Sequence, residues 1–135
     1  MKYISAEQFN QADKKVKDCL YNWWEKNINI GDLFESNITY GLGVVYDTEE
    51  QSIPTILGNT TPLLTVGQMI DFIETTTDGK VDIVSGVGTM KTLDCYIVEV
   101  YEINTTRCIE TLAFKDYIDL TQALWKMCNV ICNNE

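Results

Sequence analysis

The sequence predicts an α+β fold, with an antiparallel sheet of about four to six short strands packed by three helices. Apolar residues recur at helical spacing in three segments, near the N-terminus, in the middle and at the C-terminus. Between these segments lie short runs rich in β-branched and aromatic residues, bounded by Gly, Asn and Asp. Because 135 residues suit one domain, we expect a single domain over residues 1–135.

The first helix is predicted from Ser5 to about Asn27. Ser5 and Gln8 have the spacing of a capping box, and an apolar stripe follows on one helix face. Trp23 and Trp24 differ by about 100° around the helix axis, so one of them should lie at the edge of the core. The stripe consists of Phe9, Ala12, Val16, Cys19, Leu20 and Trp23.

Short strands are expected between residues 32 and 47, with a break after Ser36. Gly41 and Gly43 in the second of these strands indicate a bulge or a close backbone approach. A phosphate-binding loop is the weaker interpretation, because no third glycine and no helix follow. Residues 53–57 contain a proline and fit a short edge strand.

Two further helices have N-terminal signals in the sequence. Thr65 with Gln68 forms a capping box for the central helix, which should end at the Asp78-Gly79 turn. Asp119 with Gln122 gives the same pattern at the start of the last helix. The central stripe is Val66, Met69, Ile70 and Ile73, and the last is Leu120, Ala123, Leu124, Met127, Val130 and Ile131.

A second group of strands is predicted at residues 81–87, 91–103 and 106–114. The last two should pair as a hairpin, with Val98 and Val100 on one face of the first strand. A two-residue loop would place Glu99 opposite Glu110, which is unfavourable because like charges repel. A shift of one residue would avoid that pairing, so the register stays open at this point.

The charge distribution is the strongest functional signal. The chain has a net charge of -10, which disfavours direct binding to nucleic acid or to an anionic membrane. Residues 27–79, called here the acidic interval, contain eight acidic residues and no Lys or Arg. We expect seven of these acids to contact a partner: Asp32, Glu35, Asp47, Glu49, Glu50, Asp71 and Glu74.

The sequence indicates no enzyme, cofactor or metal. It contains no histidine, so Ser-His and Cys-His pairs are excluded and no catalytic residue is assigned. Glu49 and Glu50 could act as paired carboxylates, but as loop residues they are better interpreted as solvated charges. The five cysteines are expected to be free thiols, and Cys128 and Cys132 to be buried structural thiols rather than zinc ligands.

The sequence predicts a cytoplasmic protein. No window approaches the roughly 18 consecutive apolar residues that a membrane span requires. The N-terminal segment, residues 1–18, lacks the apolar stretch of a signal peptide and is typical of the start of a helix.

Three stretches of the chain carry a resemblance to a known group of proteins. They are YISAEQF at 3–9 followed by Trp23-Trp24 and GDL at 31–33, PLLTVGQMIDFIE at 62–74, and LTQALW at 120–125. Together they resemble small uncharacterised proteins encoded by phages and prophages of low-GC Gram-positive bacteria. The resemblance implies a shared fold and a phage origin, and it carries over no catalytic residues.

A small acidic phage protein without evident catalytic groups suggests an inhibitor of a host defence system, of the anti-CRISPR kind. An acidic surface can occupy the basic nucleic-acid groove of a host nuclease or effector. The alternative is a small-molecule binder, such as a sponge for a nucleotide immune signal. That function needs aromatic rings and a cation, and Arg107 is the only arginine in the chain.

Overall fold

The α+β class is confirmed. The computed structural model describes residues 2–38, 41–46, 60–85, 96–114 and 119–135. Within these ranges it has four helices and two three-stranded antiparallel sheets. Chain contacts divide the protein into two compact units, Tyr3–Leu64 and Thr65–Glu135. The single domain stays a prediction, and the strand expected at 53–57 lies outside the described residues.

In its described residues, the first unit contains two helices and a sheet of very short strands. The helices are α1 (Ala6–Gln11) and α2 (Lys14–Lys26), and the strands are β1 (Leu33–Ser36), β2 (Leu42–Val44) and β3 (Thr60–Pro62). The strand order is β2-β1-β3, with both pairs antiparallel. Strand β1 therefore lies in the middle, and β2 and β3 form the two edges. The two strands and the break after Ser36 are confirmed, but the second strand was predicted to begin at Ile38, which lies in a turn, and β2 spans only Leu42–Val44.

The prediction of one helix from Ser5 to Asn27 is wrong. Ala12 has an extended ψ of 157° and ends α1, and Asp13, with ψ 151°, precedes the first turn of α2. Asp13 thus occupies the N-cap position of α2, although its side chain makes no capping hydrogen bond with a described residue. The predicted start is confirmed, because the Ser5 hydroxyl accepts a hydrogen bond from the backbone N–H of Gln8 at 3.1 Å.

Trp24 belongs to the core of the first unit. Its side chain is fully buried, whereas that of Trp23 is half-buried. The prediction that Trp23 belongs to the buried stripe is therefore wrong, and Trp24 takes that position. The expectation that one of the two lies at the core edge is confirmed. The other buried apolar residues of this unit are Ile4, Ala6, Phe9, Val16, Leu20, Val45, Leu63 and Leu64.

The close approach indicated by the glycines is present at Gly43. This residue is the register partner of Phe34, and a Cβ at position 43 would overlap the Phe34 ring. The neighbouring atoms belong to a side chain rather than to backbone. Substitution at Gly43 would therefore disturb the pairing of β1 with β2.

The second unit contains two longer helices and a sheet of seven-residue strands. Its elements are α3 (Val66–Thr77), β4 (Gly79–Ser85), β5 (Tyr96–Glu102), β6 (Cys108–Phe114) and α4 (Leu120–Asn134). The strand order is β4-β5-β6, and both pairs are antiparallel. The two edge strands, β4 and β6, are therefore the strands that come before and after β5 in the sequence.

The predicted helix signals of the second unit are confirmed. Thr65 accepts from the Gln68 backbone at 3.3 Å, and the Gln68 side chain accepts from the Thr65 backbone at 2.9 Å, which completes the capping box. Asp78 ends α3 in the left-handed conformation, with φ 53°. Asp119 caps α4 by accepting from the backbone N–H of Gln122 at 2.8 Å.

The hairpin avoids the unfavourable pair of glutamates. Glu99 lies opposite Thr111 and Val100 lies opposite Glu110, with a register shift between Val100 and Tyr101. The one-residue shift considered from the sequence is therefore present. Val98 and Val100 are fully buried, as predicted for the inward face of this strand.

Helices α3 and α4 supply much of the core of the second unit. Cys128 and Cys132 are fully buried in α4, as predicted. Phe72 on α3 and Trp125 on α4 are also buried, although neither was in a predicted stripe. The other buried apolar side chains are Met69, Ile73, Val98, Val100, Ala123, Leu124, Met127 and Ile131.

Candidate functional site

The acids predicted to contact a partner are divided between the two units. Asp32 and Glu35 lie in the first unit, and Asp71 and Glu74 lie in the second. The other three, Asp47, Glu49 and Glu50, lie outside the described residues. Each of the four described acids has its own surroundings, which decide whether its carboxylate can face a partner.

Asp32 connects the loop after α2 to the core of the first unit. Its Oδ2 atom accepts from the indole N–H of Trp24 at 3.2 Å and from the backbone N–H of Asn29 at 2.9 Å. Its backbone carbonyl accepts from Val45 N at 2.9 Å. Because Trp24 is fully buried, losing this acceptor would leave a buried donor unsatisfied. Asp32 therefore has a structural role in the free protein.

Glu74 also has a structural role. Its Oε2 atom accepts from the backbone N–H of Val81 at 2.9 Å. Val81 belongs to the edge strand β4, and an outward N–H of an edge strand is otherwise open to pairing with another chain. The Glu74 carboxylate thus covers one outward amide of this edge.

Glu35 and Asp71 are the described acids best placed for a partner. Asp71 is exposed on α3, and among the described residues its carboxylate makes no ion pair. Glu35 is half-buried in β1 and is the register partner of Leu42. Antiparallel register partners share a sheet face, so Glu35 stands beside an apolar side chain.

An exposed row of apolar side chains runs along β2 and the residues after it. Leu42 is 62% exposed, Val44 is 47% exposed and Tyr46 is 66% exposed, and we call these three residues the β2 row. Alternate residues of a strand point to opposite faces, and the intervening Val45 is fully buried. The solvent face of an antiparallel sheet is usually polar, so an apolar row there suggests a contact surface.

The β2 row was missed by the sequence-based prediction. The segment LGVVY is apolar at both alternating sets of positions, which is typical of a strand buried on both faces. That pattern could have indicated an exposed apolar face, because a short strand beside two glycines is rarely buried on both faces. The exposed face could be assigned only once the strand order placed β2 at an edge.

The second unit has an open cleft of about 620 Å³ beside the β4–β5 pair. It is lined by Lys80, Asp82, Tyr101 and Glu102, among others, so two carboxylates and one ammonium face it. The Tyr101 hydroxyl donates to the Glu99 carboxylate. That hydrogen bond, followed by burial and the nearby negative charges, raises the pKa of Tyr101 to about 12.

The described residues provide no site for a metal ion and no membrane span. Within them, no group of three or more Cys, Asp or Glu side chains is arranged to bind a metal. The helices of these ranges are all too short or too polar to cross a bilayer.

Comparison with protein-family models, characterised proteins and solved structures finds no match for this chain. The resemblance of its three stretches to phage-encoded proteins therefore stays a prediction. The features that bear on function are therefore the charge distribution of the chain and its exposed apolar residues.

Proposed function

We propose that this chain is a phage-encoded, non-enzymatic protein that binds and inhibits a basic host defence protein, of the anti-CRISPR kind. The observation that carries the proposal is the acidic interval, in which eight acids are opposed by no Lys or Arg. A field of one sign accelerates association with a partner of the opposite sign. The partner is a nuclease or effector with a basic groove, and the protein acts in the cytoplasm of the host cell.

The surroundings of the acids support a narrower set of contact residues. Asp32 and Glu74 accept hydrogen bonds from Trp24 and Val81, so their carboxylates are held within their own units. Glu35 and Asp71 remain as described contact residues, with Asp47, Glu49 and Glu50 as contacts proposed from sequence. The β2 row adds exposed apolar area, and protein interfaces combine such area, often with tyrosine, with a polar rim.

A nucleotide sponge is the second candidate function. The cleft beside β4 and β5 supports it, because Lys80 and Tyr101 supply a cation and an aromatic ring, and its volume suits a small ligand. The two carboxylates in the same cleft, Asp82 and Glu102, would repel an anionic nucleotide. Charge therefore favours the protein-binding function.

The experiment begins with capture of binding proteins from a lysate of a Gram-positive host on the immobilised chain. The affinity of a captured nuclease is then measured against salt, up to physiological ionic strength, where the Debye length is about 8 Å. A test variant and a control variant each lose three acids. The test variant carries Asp47→Asn, Glu49→Gln and Glu50→Gln, and the control carries Glu7→Gln, Asp13→Asn and Glu25→Gln.

We expect the test variant to bind more weakly than the parent, with a smaller dependence on salt. The control variant has the same net charge as the test variant but keeps all the acids of the acidic interval. It should therefore bind like the parent. Superimposed curves for the parent and the test variant would show that these acids only solubilise the protein. An equal loss in both variants would show an effect of net charge rather than of the acidic interval.

A further inference from the structure

The outer edge of β3 is closed against pairing with another strand. Residues 60, 62 and 64 direct their backbone groups away from β1, since Leu63 N donates to Leu33 O at 3.0 Å. Pro62 therefore stands at an outward position and has no N–H to donate. At the next outward position, the Leu64 carbonyl accepts from Ile4 N at 2.9 Å.

The two edges of the second sheet are protected by charged side chains. On β4, Glu74 accepts from the outward N–H of Val81 at 2.9 Å. On β6, the Glu110 carboxylate accepts from the N–H of Thr111 at 3.2 Å, and the register shift adds a bulge at this edge. Charged groups and bulges are the common means by which edge strands avoid adding a foreign strand.

The edge of β2 differs from these three. Val45 N donates to Asp32 O at 2.9 Å, and Gly41 O also accepts from β1 at 2.9 Å. Antiparallel bonding alternates along a strand, so Leu42 and Val44 direct their N–H and C=O groups away from β1. Within the described ranges, no proline, charged side chain or backbone bond closes this side of the two residues.

The same residues expose apolar side chains, which makes this edge suitable for a specific contact. A strand added beside β2 would place its side chains about 4.5–5.5 Å from those of Leu42 and Val44. Two residues offer only two N–H and two C=O groups, so the β2 row must supply part of the affinity. This combination of main-chain bonds and alternate side-chain contacts is how extended segments bind to sheet edges.

The negative charge near β2 indicates which kind of segment would bind at this edge. Glu35 stands beside Leu42 on the exposed face, and the acidic interval provides no base to this part of the unit. A second copy of the chain would bring together two molecules of net charge -10, which opposes self-pairing. A segment that alternates apolar residues with Lys or Arg meets both the apolar row and the negative field.

We propose that β2 is a docking edge on which an extended, Lys- or Arg-containing segment of the partner adds as a fourth strand. The order becomes segment-β2-β1-β3, with the added strand bonded to the backbone of Leu42 and Val44. This inference rests on the proposed function, because it assumes a basic protein partner. It adds the mode of binding and the chemistry of the bound segment.

The test uses a synthetic peptide, acetyl-Lys-Val-Thr-Val-Lys-Val-Thr-amide with a fluorescent label, and measures its affinity by anisotropy. Val44→Pro removes one outward N–H while leaving the bonds to β1, because proline is tolerated at such positions of an edge strand. Ala113→Pro on the edge strand β6 is the matched control, since its N–H also points outward. We expect about tenfold weaker binding for Val44→Pro and parent-like binding for the control.

A second arm keeps the protein unchanged, so that it does not depend on the folding of a variant. The same peptide, N-methylated at every residue, keeps its side chains and charges but has no N–H on either edge of its backbone. We expect its binding to be lost, and we expect the parent peptide to slow amide exchange at Leu42 and Val44.

Equal affinity of the two peptides would contradict strand addition, as would no binding of the parent peptide. Either result leaves the proposed function untouched, because that function is judged by the salt dependence of the captured partner. A dimer that Val44→Pro dissociates would also overturn the proposal, by assigning the edge to a second copy of the chain.

Discussion

The two sheets of this protein have the same number of strands but treat their edges differently. In β4-β5-β6 the strands are seven residues long, and a carboxylate covers an outward amide on each edge. In β2-β1-β3 the strands have three or four residues, and only the β3 edge is closed. This difference supports the proposal that the β2 edge of the first sheet is a contact surface.

The acids follow the same division of roles. Asp32 and Glu74 were predicted to contact a partner; in the free protein the Asp32 carboxylate accepts two hydrogen bonds and the Glu74 carboxylate accepts one, each within its own unit. Asp71 is exposed and Glu35 lies beside the β2 row. An acidic sequence interval can therefore contain both structural and contact residues, and its net charge does not distinguish them.

The largest expected effect on stability compares Asp32, which has a structural role, with the exposed Asp71. Asp32→Ala should lower the free energy of unfolding by about 1–3 kcal/mol, because the buried Trp24 indole loses its acceptor. Asp71→Ala should change it by less than about 0.5 kcal/mol, as is usual for exposed positions. Urea unfolding of both variants measures the contrast. Equal stabilities would mean that Asp32 is as dispensable as Asp71.

The helix starts of the two units provide a second contrast. Thr65→Ala removes the capping acceptor of α3 and should cost about 0.5–2 kcal/mol. Asp13 precedes α2, but its side chain makes no capping hydrogen bond with any described residue. Asp13→Ala should therefore cost less than Thr65→Ala in the same unfolding assay. The reverse order would show that α2 depends on a cap and α3 does not.

A third prediction concerns the amide on the edge of β4 that the Glu74 carboxylate covers. Glu74→Ala removes the acceptor for Val81 N and should cost about 1 kcal/mol, with faster exchange of the Val81 amide. Glu74→Gln keeps an acceptor oxygen and is the matched control, so its Val81 amide should exchange like that of the parent. If both variants exchange alike, the carboxylate does not protect this edge.

The smallest effect concerns pH. The hydrogen bond to Glu99 raises the pKa of Tyr101 from 10.0 to about 12, so the hydroxyl stays protonated in the folded protein while it ionises in the unfolded chain. Its contribution to stability is fully present below pH 10.0 and is lost between pH 10.0 and about 12. Phenolate absorbance should show a late-titrating component that Tyr101→Phe removes. A parent curve identical to that of the variant would contradict this assignment.

Local signals in the sequence predicted the second unit well. Thr65 with Gln68 and Asp119 with Gln122 marked helix starts that the structure has, because a cap needs only residues three apart. The sequence left the hairpin register open, and the structure has the one-residue shift that keeps Glu99 and Glu110 from lying opposite each other. In the first unit, the break at Asp13 was missed because the apolar stripe continued across it.

The roles of the acids and of β2 depend on contacts that sequence spacing does not give. The bond from Trp24 to Asp32 depends on how the loop folds back on α2, and the bond from Val81 to Glu74 depends on the turn at Asp78. The exposure of Leu42 depends on the strand order, which no periodicity specifies. The acidic interval is visible in the sequence, whereas the exposed β2 row was not predicted.

Amide hydrogen exchange of the free protein tests the central claim, that the β2 edge is open. The N–H of Val45 donates to the carbonyl of Asp32, the residue before β1, and should be protected, whereas the N–H of Val44 points outward and should exchange at close to the rate of an unstructured amide. The outward N–H of Val81, which is bonded to Glu74, should be protected. Protection of Val44 equal to that of Val45 in the monomer would show that this edge is already paired, and would contradict the account.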